Sequence, residues 1–249
     1  MYGKKFFEFN SKATQTSAKV IVDFLVQVFS PSSVIDIGSS TGLFLRNFQD
    51  HNISDIVGVD GPWVPSDQLK IPASKFIAHD LTKPINLNRK FDLLICLEVL
   101  EHVSLETGNL LIEEMSELSD VVVFSAAVPG QGGTHHINEQ WPIYWATKFV
   151  NKGYKIIDPR TVLWDKPEIL PWYKQNMLFF TRRDIKNLHI FGENGNSSKM
   201  PLSMIHPEMT YAGLLDVEIN GIMKLLIKLE TLLNRLSRTI LVEKKYKSN

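Results

Sequence analysis

Residues 34–44 read VIDIGSSTGLF, an apolar run broken by Asp36 that opens into a loop with glycine at 38 and 42 and serine at 40. Such a run, closed by a loop of small residues, predicts a short buried strand, SVIDIG at 33–38, that turns straight into a helical pattern at 41–50. Upstream, ATQTSAKVIVDFLVQVF (13–29) has apolar residues at 18, 21, 22, 25 and 28, the spacing of one helix face, and Pro31 lies just past its end. Downstream the alternation repeats. Strands are predicted at DIVGVD (55–60), KFIAHD (75–80), FDLLICLEV (91–99) and DVVVFSAAV (120–128), with a helix at 105–118. A helix at 142–152 and strands at GYKIID (153–158) and NMLFFT (176–181) complete the pattern. Strands rich in Val, Ile and Leu, with little polar alternation and helices between them, indicate a parallel sheet covered on both faces.

Ligands of an open parallel sheet bind outside the carboxyl ends of its strands. The residues that end these runs are Asp36, Asp60, Asp80 and Glu98, followed by the segment after Ser125. A row of acids does not suit phosphate, which is met by lysine, arginine or free backbone N–H groups. The loop also lacks both phosphate fingerprints. A P-loop needs a lysine where Leu43 stands, and G-x-G-x-x-G is not matched by Gly38, Ser40 and Leu43. A ligand with a cationic centre, a ribose diol and an adenine, but no phosphate, fits the acids better.

In this respect VIDIGSSTG resembles motif I of the class I S-adenosylmethionine-dependent methyltransferases, D-x-G-x-G-x-G, with Ser40 replacing the middle glycine. The resemblance runs from about residue 14 to 181. It implies a doubly wound, mostly parallel, seven-stranded α/β sheet of the Rossmann-like methyltransferase kind, with the last two strands forming an antiparallel edge beside the fifth. It implies S-adenosylmethionine as cofactor, held by Asp36, Gly38, Ser40 and Gly42 of the loop. Asp60, 18 residues after Gly42, corresponds to the acid that accepts two hydrogen bonds from the ribose hydroxyls. Asp80 and Leu81 correspond to the adenine end. FDLLICLEVLEHV resembles the fourth strand and its following turn, where Leu97 and Glu98 line the methionine end. Each acid taken alone has an ordinary alternative as a helix N-cap, and only their joint order is specific.

Methyl transfer is an in-line displacement at a carbon activated by the sulfonium, so a hydroxyl acceptor needs alignment and removal of a proton. The candidate bases are His136 and His135 in PGQGGTHHINEQW (129–141), with Glu139 orienting the imidazole or binding acceptor hydroxyls. His102 is a further candidate, though EVLEH also reads as a helix cap. Glu98, Glu101 and His102 at i, i+3 and i+4, with a histidine from 135 or 136, resemble the metal-binding pattern of small-RNA 2′-O-methyltransferases. The same E-x-x-E-H also resembles metal-free enzymes of the ubiquinone-biosynthesis type, and the neutral charge balance does not suggest RNA, so no metal is assigned. HINEQWPIYW and WYKQNMLFF resemble methyltransferases of bacterial surface-polysaccharide biosynthesis. Trp141, Tyr144, Trp145, Trp164, Trp172, Tyr173, Phe179 and Phe180 either stack on a sugar or fill the core. O-methylation of a saccharide or nucleotide-sugar is the expected reaction. The rivals are a non-catalytic S-adenosylmethionine-binding adaptor and a nucleotide-sugar binder or dehydrogenase that uses NAD.

Bulk properties agree with one such domain. The chain has 249 residues, 44% hydrophobic, with 27 Lys and Arg balancing 27 Asp and Glu. No basic field points to nucleic acid, and the lone Cys96 excludes a disulfide framework within the chain, so a cytoplasmic protein is expected. MYGKKFFEFNSK has no signal-peptide core, and no apolar stretch approaches the roughly 20 residues of a membrane span. The methyltransferase domain is placed at 1–182, a loop-rich excursion at 183–211 and an amphipathic basic helix at 212–249. In that helix Ile222, Leu226, Leu229, Leu233, Leu236 and Ile240 form a heptad seam. From Lys224 onward seven Lys or Arg outnumber two acids by five. Residues 214–242 could thus pair in a homodimer, lie on an anionic membrane or pack on their own domain.

Overall fold

The computed structural model describes residues 4–191, 203–206 and 209. Helix α1 (Lys4–Phe29) leads into β1 (Ser33–Ile37), and α2 (Leu43–Asp50) returns to β2 (Asp55–Asp60). There follow β3 (Phe76–Ala78), β4 (Leu93–Leu97), α3 (Leu105–Leu118), β5 (Val121–Ser125), α4 (Pro142–Asn151) and β6 (Lys155–Ile157). Two short helices, α5 (Arg160–Leu163) and α6 (Pro171–Asn176), precede β7 (Leu178–Thr181). The seven strands form one sheet in the order β3-β2-β1-β4-β5-β7-β6. All neighbours run parallel except β7, which is antiparallel to both β5 and β6. The order reverses between β1 and β4, and this is where a crevice opens at the carboxyl ends.

The sheet is apolar on both faces, as its unalternating strands predict. Ile35, Ile37, Leu94, Cys96, Val122, Phe124 and Phe180 pack on one face against Leu111, Ile112 and Met115 of α3 and Trp145 and Phe149 of α4. Val34, Ile56, Leu93, Ile95, Val123 and Phe179 pack on the other against Ile21, Val22 and Leu25 of α1 and Leu45 and Phe48 of α2. Burial also makes the Cys96 thiol a poor acid, with its pKa pushed well up.

The elements depart from expectation at several places: β3 ends at Ala78 and β5 at Ser125, short of the expected 80 and 128. Helix α1 begins nine residues earlier than its apolar face suggested, at Lys4 rather than residue 13. Strand β4 stops at Leu97, because Glu98 takes a left-handed φ of 54° that ends the ladder. Asn176 closes α6 instead of opening the last strand. Helices α5 and α6, of four and six residues, are too short to show a period of 3.6. Within the stretch 183–211, Phe191, His206 and Met209 are buried. The predicted helix at 212–249, with its heptad seam, lies outside the described residues. No helix among the described residues is long and apolar enough to cross a membrane.

Candidate active site

The loop after β1 bends through backbone conformations that L-residues seldom adopt. Gly38, Ser40 and Gly42 have φ of 78°, 49° and 80°. A Cβ on Gly38 would stand 2.3 Å from Val99 Cγ2, so the close approach of β1 to the turn after β4 requires glycine there. The bend delivers the Ser40 amide to Asp60 at the end of β2: Ser40 N–H donates to Oδ2 at 2.6 Å and Gly61 N–H to Oδ1 at 2.6 Å. A carboxylate has about four acceptor positions, so Asp60 keeps capacity for two more donors. Burial raises the pKa of Asp60, against the two amide hydrogen bonds that lower it. Asp36 is pushed well up by burial and then by the charge of Asp60. Asp80, after β3, is lowered by the Thr82 amide and hydroxyl, at 3.0 and 2.8 Å from its Oδ1.

Glu98 is held by residues far away in the chain. Its carboxylate accepts from Asn176 Nδ2 at 3.1 and 3.2 Å and from Gln131 Nε2 at 3.0 Å, and its amide donates to the Ser125 carbonyl at 3.0 Å. Asn176 Nδ2 also donates to Gln131 Oε1 at 2.8 Å, which closes the triangle. Burial raises the pKa of Glu98, opposed by the bonds from Asn176, Ser125 and Gln131.

One turn further on, Glu101 is wholly buried and neither carboxylate oxygen has a hydrogen-bond partner. The backbones of Glu101 and Ala127 and the Glu98 carboxyl lie beside it. Burial and then the charge of Glu98 push its pKa well up. His102 meets His136 edge to face, ring centroids 4.8 Å apart. Burial, and after it the charge of His136, lowers the pKa of His102 to about 4. His136 Nδ1 lies 2.9 Å from Glu139 Oε1, which also accepts from the Gly132 amide at 2.9 Å. Glu139 Oε2 accepts from the Gly130 amide at 2.7 Å, so this one carboxylate pins the glycine loop and the imidazole together.

These pieces surround a cavity of about 850 Å³. Asp36, Gly38, Ser40, Asp60, Asp80, Leu81, Leu97, Glu98, His102, His135 and His136 all line it. Gly42 stands outside the lining at the N-cap of α2, and Glu139 acts from behind His136. His135 is exposed with φ 64°, whereas His136 turns inward to Glu139. Five carboxyls face this cavity, Glu101 being the fifth, and no lysine or arginine is among its described lining residues. A chamber lined by acids, with no lysine or arginine among its described residues, suits a sulfonium nucleoside and offers a phosphate no cationic partner.

The comparisons agree. The model of a methyltransferase domain family matches residues 9–119. The match spans less than half of the chain, and the acid-lined cavity agrees with it: the protein is a methyltransferase. It is an enzyme of that class, and S-adenosylmethionine is its cofactor. Among solved structures, the methyltransferase fold here is similar to the sugar N-methyltransferase KedS8 from Streptoalloteichus sp. ATCC 53650, with 15% identity over 74% of this chain and 96% of that one, TM-score 0.57. It is similar to Streptomyces venezuelae DesVI, with 12% identity over 72% and 96% of the two chains, TM-score 0.54. It is also similar to CalS10, an amino pentose methyltransferase from Micromonospora echinaspora solved with its methyl donor bound, with 13% identity over 74% and 98%, TM-score 0.52. No curated protein matches the sequence.

Several site residues of the methyltransferase escaped sequence reasoning. Gln131 and Asn176 hold Glu98, and Phe7, Asn10 and Thr14 bring α1 into the cavity wall. Trp63 covers Gly61 so closely that a Cβ there would meet its ring at 2.1 Å. The only local signal was the tryptophan in DGPW directly after a strand that ends in an acid. Of the second-half aromatics, Trp145, Phe179 and Phe180 are core, while Trp172 and Tyr173 reach the cavity.

Proposed function

We propose that the enzyme transfers the methyl group of S-adenosylmethionine to a hydroxyl of a small, sugar-like acceptor, such as a saccharide or nucleotide-sugar. One observation supports this reading: His136, backed by Glu139, lines the same cavity as the cofactor carboxyls. An amine acceptor needs only to be neutral, but a hydroxyl must lose its proton as its oxygen attacks. A histidine oriented by a carboxylate supplies that function. The acceptor oxygen attacks the methyl carbon opposite the sulfur, and S-adenosylhomocysteine leaves as a neutral thioether. Trp63 and Trp172 give the chamber apolar faces, and Gln131 adds an amide able to meet hydroxyls, a combination that fits a sugar ring. Two of the similar structures are named as sugar methyltransferases, which agrees with this class of acceptor.

In this scheme Asp60 accepts from the ribose hydroxyls, Asp80 and Leu81 flank the adenine, and Leu97 and Glu98 face the methionine end. The test is a panel of sugars and nucleotide-sugars incubated with S-adenosylmethionine and read by mass spectrometry for a methylated product. His136→Gln is expected to lower kcat by about 10²–10⁴-fold. The affinity for S-adenosylhomocysteine, measured by calorimetry, should stay unchanged. Full activity in His136→Gln would sink the assignment of the proton step.

A further inference from the structure

We propose that Gln175 is a positioning residue for the cofactor end of the chamber: it turns the Gln131 and Asn176 amides so that both donate to Glu98, and the backbone N–H of His206 fixes its own direction. Gln175 is fully buried behind the cavity wall. Both hydrogens and the oxygen of its amide are engaged. Nε2 donates to Asn176 Oδ1 at 3.0 Å and to Gln131 Oε1 at 3.3 Å, and Oε1 accepts from the His206 amide at 2.6 Å.

A primary amide can be turned over with almost no change of shape, so its partners decide which end is the donor. A backbone N–H can only donate. The His206 amide therefore pins Oε1 of Gln175 toward residue 206 and Nε2 toward the other two amides. Their oxygens must then face Gln175, because either one turned over would set NH₂ against NH₂. With the oxygens so placed, Asn176 Nδ2 and Gln131 Nε2 point at Glu98, where both suit the acceptor-only carboxylate. The bond from Asn176 Nδ2 to Gln131 Oε1 at 2.8 Å holds the same sense. Reversed, the two side chains would present carbonyl oxygens to Glu98 and repel its charge.

The direction thus enters from 31 residues away in the chain. His206 is itself anchored, its ring against Trp164 with centroids 4.6 Å apart. Its carbonyl accepts from the Met209 amide at 2.8 Å, and Met209 lines the cavity.

The inference rests on the proposed place of Glu98 at the methionine end of the cofactor, and the test separates the two. The full chain is prepared with Gln175→Met, with Glu98→Gln and with both, and each form is measured by urea unfolding and by calorimetric titration with S-adenosylhomocysteine. Gln175→Met is expected to weaken binding about 10-fold when Glu98 is present and less than about 3-fold in the Glu98→Gln background, whose new amide meets its neighbours in either direction. Urea unfolding should show the same non-additivity. A purely structural role for Gln175 predicts equal losses in both backgrounds, and that result overturns the proposal. His206→Pro, which removes the amide, should reproduce Gln175→Met, whereas His206→Ala, which keeps it, should not. Equal binding by these two variants also overturns it. If Glu98→Gln leaves the affinity for S-adenosylhomocysteine unchanged while the unfolding cycle stays non-additive, the place of Glu98 falls and the positioning role of Gln175 stands.

Discussion

Ser40 stands where the related motif has glycine, and it holds a left-handed φ of 49°. That conformation costs an L-residue about 1–2 kcal/mol, and what Asp60 uses is the Ser40 amide, which glycine also supplies. Ser40→Gly is expected to raise stability by about 1 kcal/mol, less the extra unfolded-state entropy of glycine, with no loss of cofactor affinity. Thermal denaturation and calorimetry would check both parts. Asp60 gives a pH dependence. Its folded pKa lies above the ordinary 3.8, so between 3.8 and the raised value the folded state holds a proton that the unfolded state has lost. Stability contributed by this group is present below 3.8 and falls as pH rises through the window. Wild type should therefore lose stability relative to Asp60→Asn over that interval. Binding of S-adenosylhomocysteine, which needs the ionised acceptor, should weaken as pH falls through the raised pKa, and Asp60→Asn should lack that dependence. At this scale the sequence was most legible: the glycines, Asp36, Asp60 and Asp80 fall at the predicted strand ends, because a strand-to-helix turn is a local event.

Between elements, the link that matters runs from the end of β4 to the end of α6. Asn176 donates to both oxygens of Glu98, 78 residues away. Asn176→Leu keeps the approximate volume and strands that carboxylate, which costs about 2 kcal/mol. The melting temperature should fall by roughly 4–8 °C, with a parallel loss of S-adenosylhomocysteine affinity measured by calorimetry. An unchanged melting temperature would mean that Gln131 alone satisfies Glu98. No periodicity could have announced this contact. The QN pair reads equally well as the start of NMLFFT, and only the packing of α6 beneath the cavity makes it an anchor. Helix α1 shows the same limit: its apolar face was legible only from residue 13, where both sides meet the sheet and α2. Its first turns carry Phe7, Asn10 and Thr14 to the cavity.

For the molecule as a whole, a ligand that binds only the folded state stabilises it by mass action. S-adenosylhomocysteine at 100 times its Kd should contribute about 2.7 kcal/mol, which for a chain of this size corresponds to roughly 5–10 °C in melting temperature. NAD should give no shift, because its phosphates meet five carboxyls and no lysine or arginine among the described lining residues. A shift with NAD and none with S-adenosylhomocysteine would reverse the reading of the chamber. The sequence by itself determined the alternation of strands and helices, the parallel sheet and the row of acids at its carboxyl edge. Side-chain period, strand burial and turn chemistry are all short-range, and each leaves its mark within a dozen residues. The tertiary structure decided which of two adjacent histidines faces inward and that Gln131 and Asn176 grip Glu98. Those are contacts across loops, set by how separate elements pack, and one chain's order of residues carries no local trace of them.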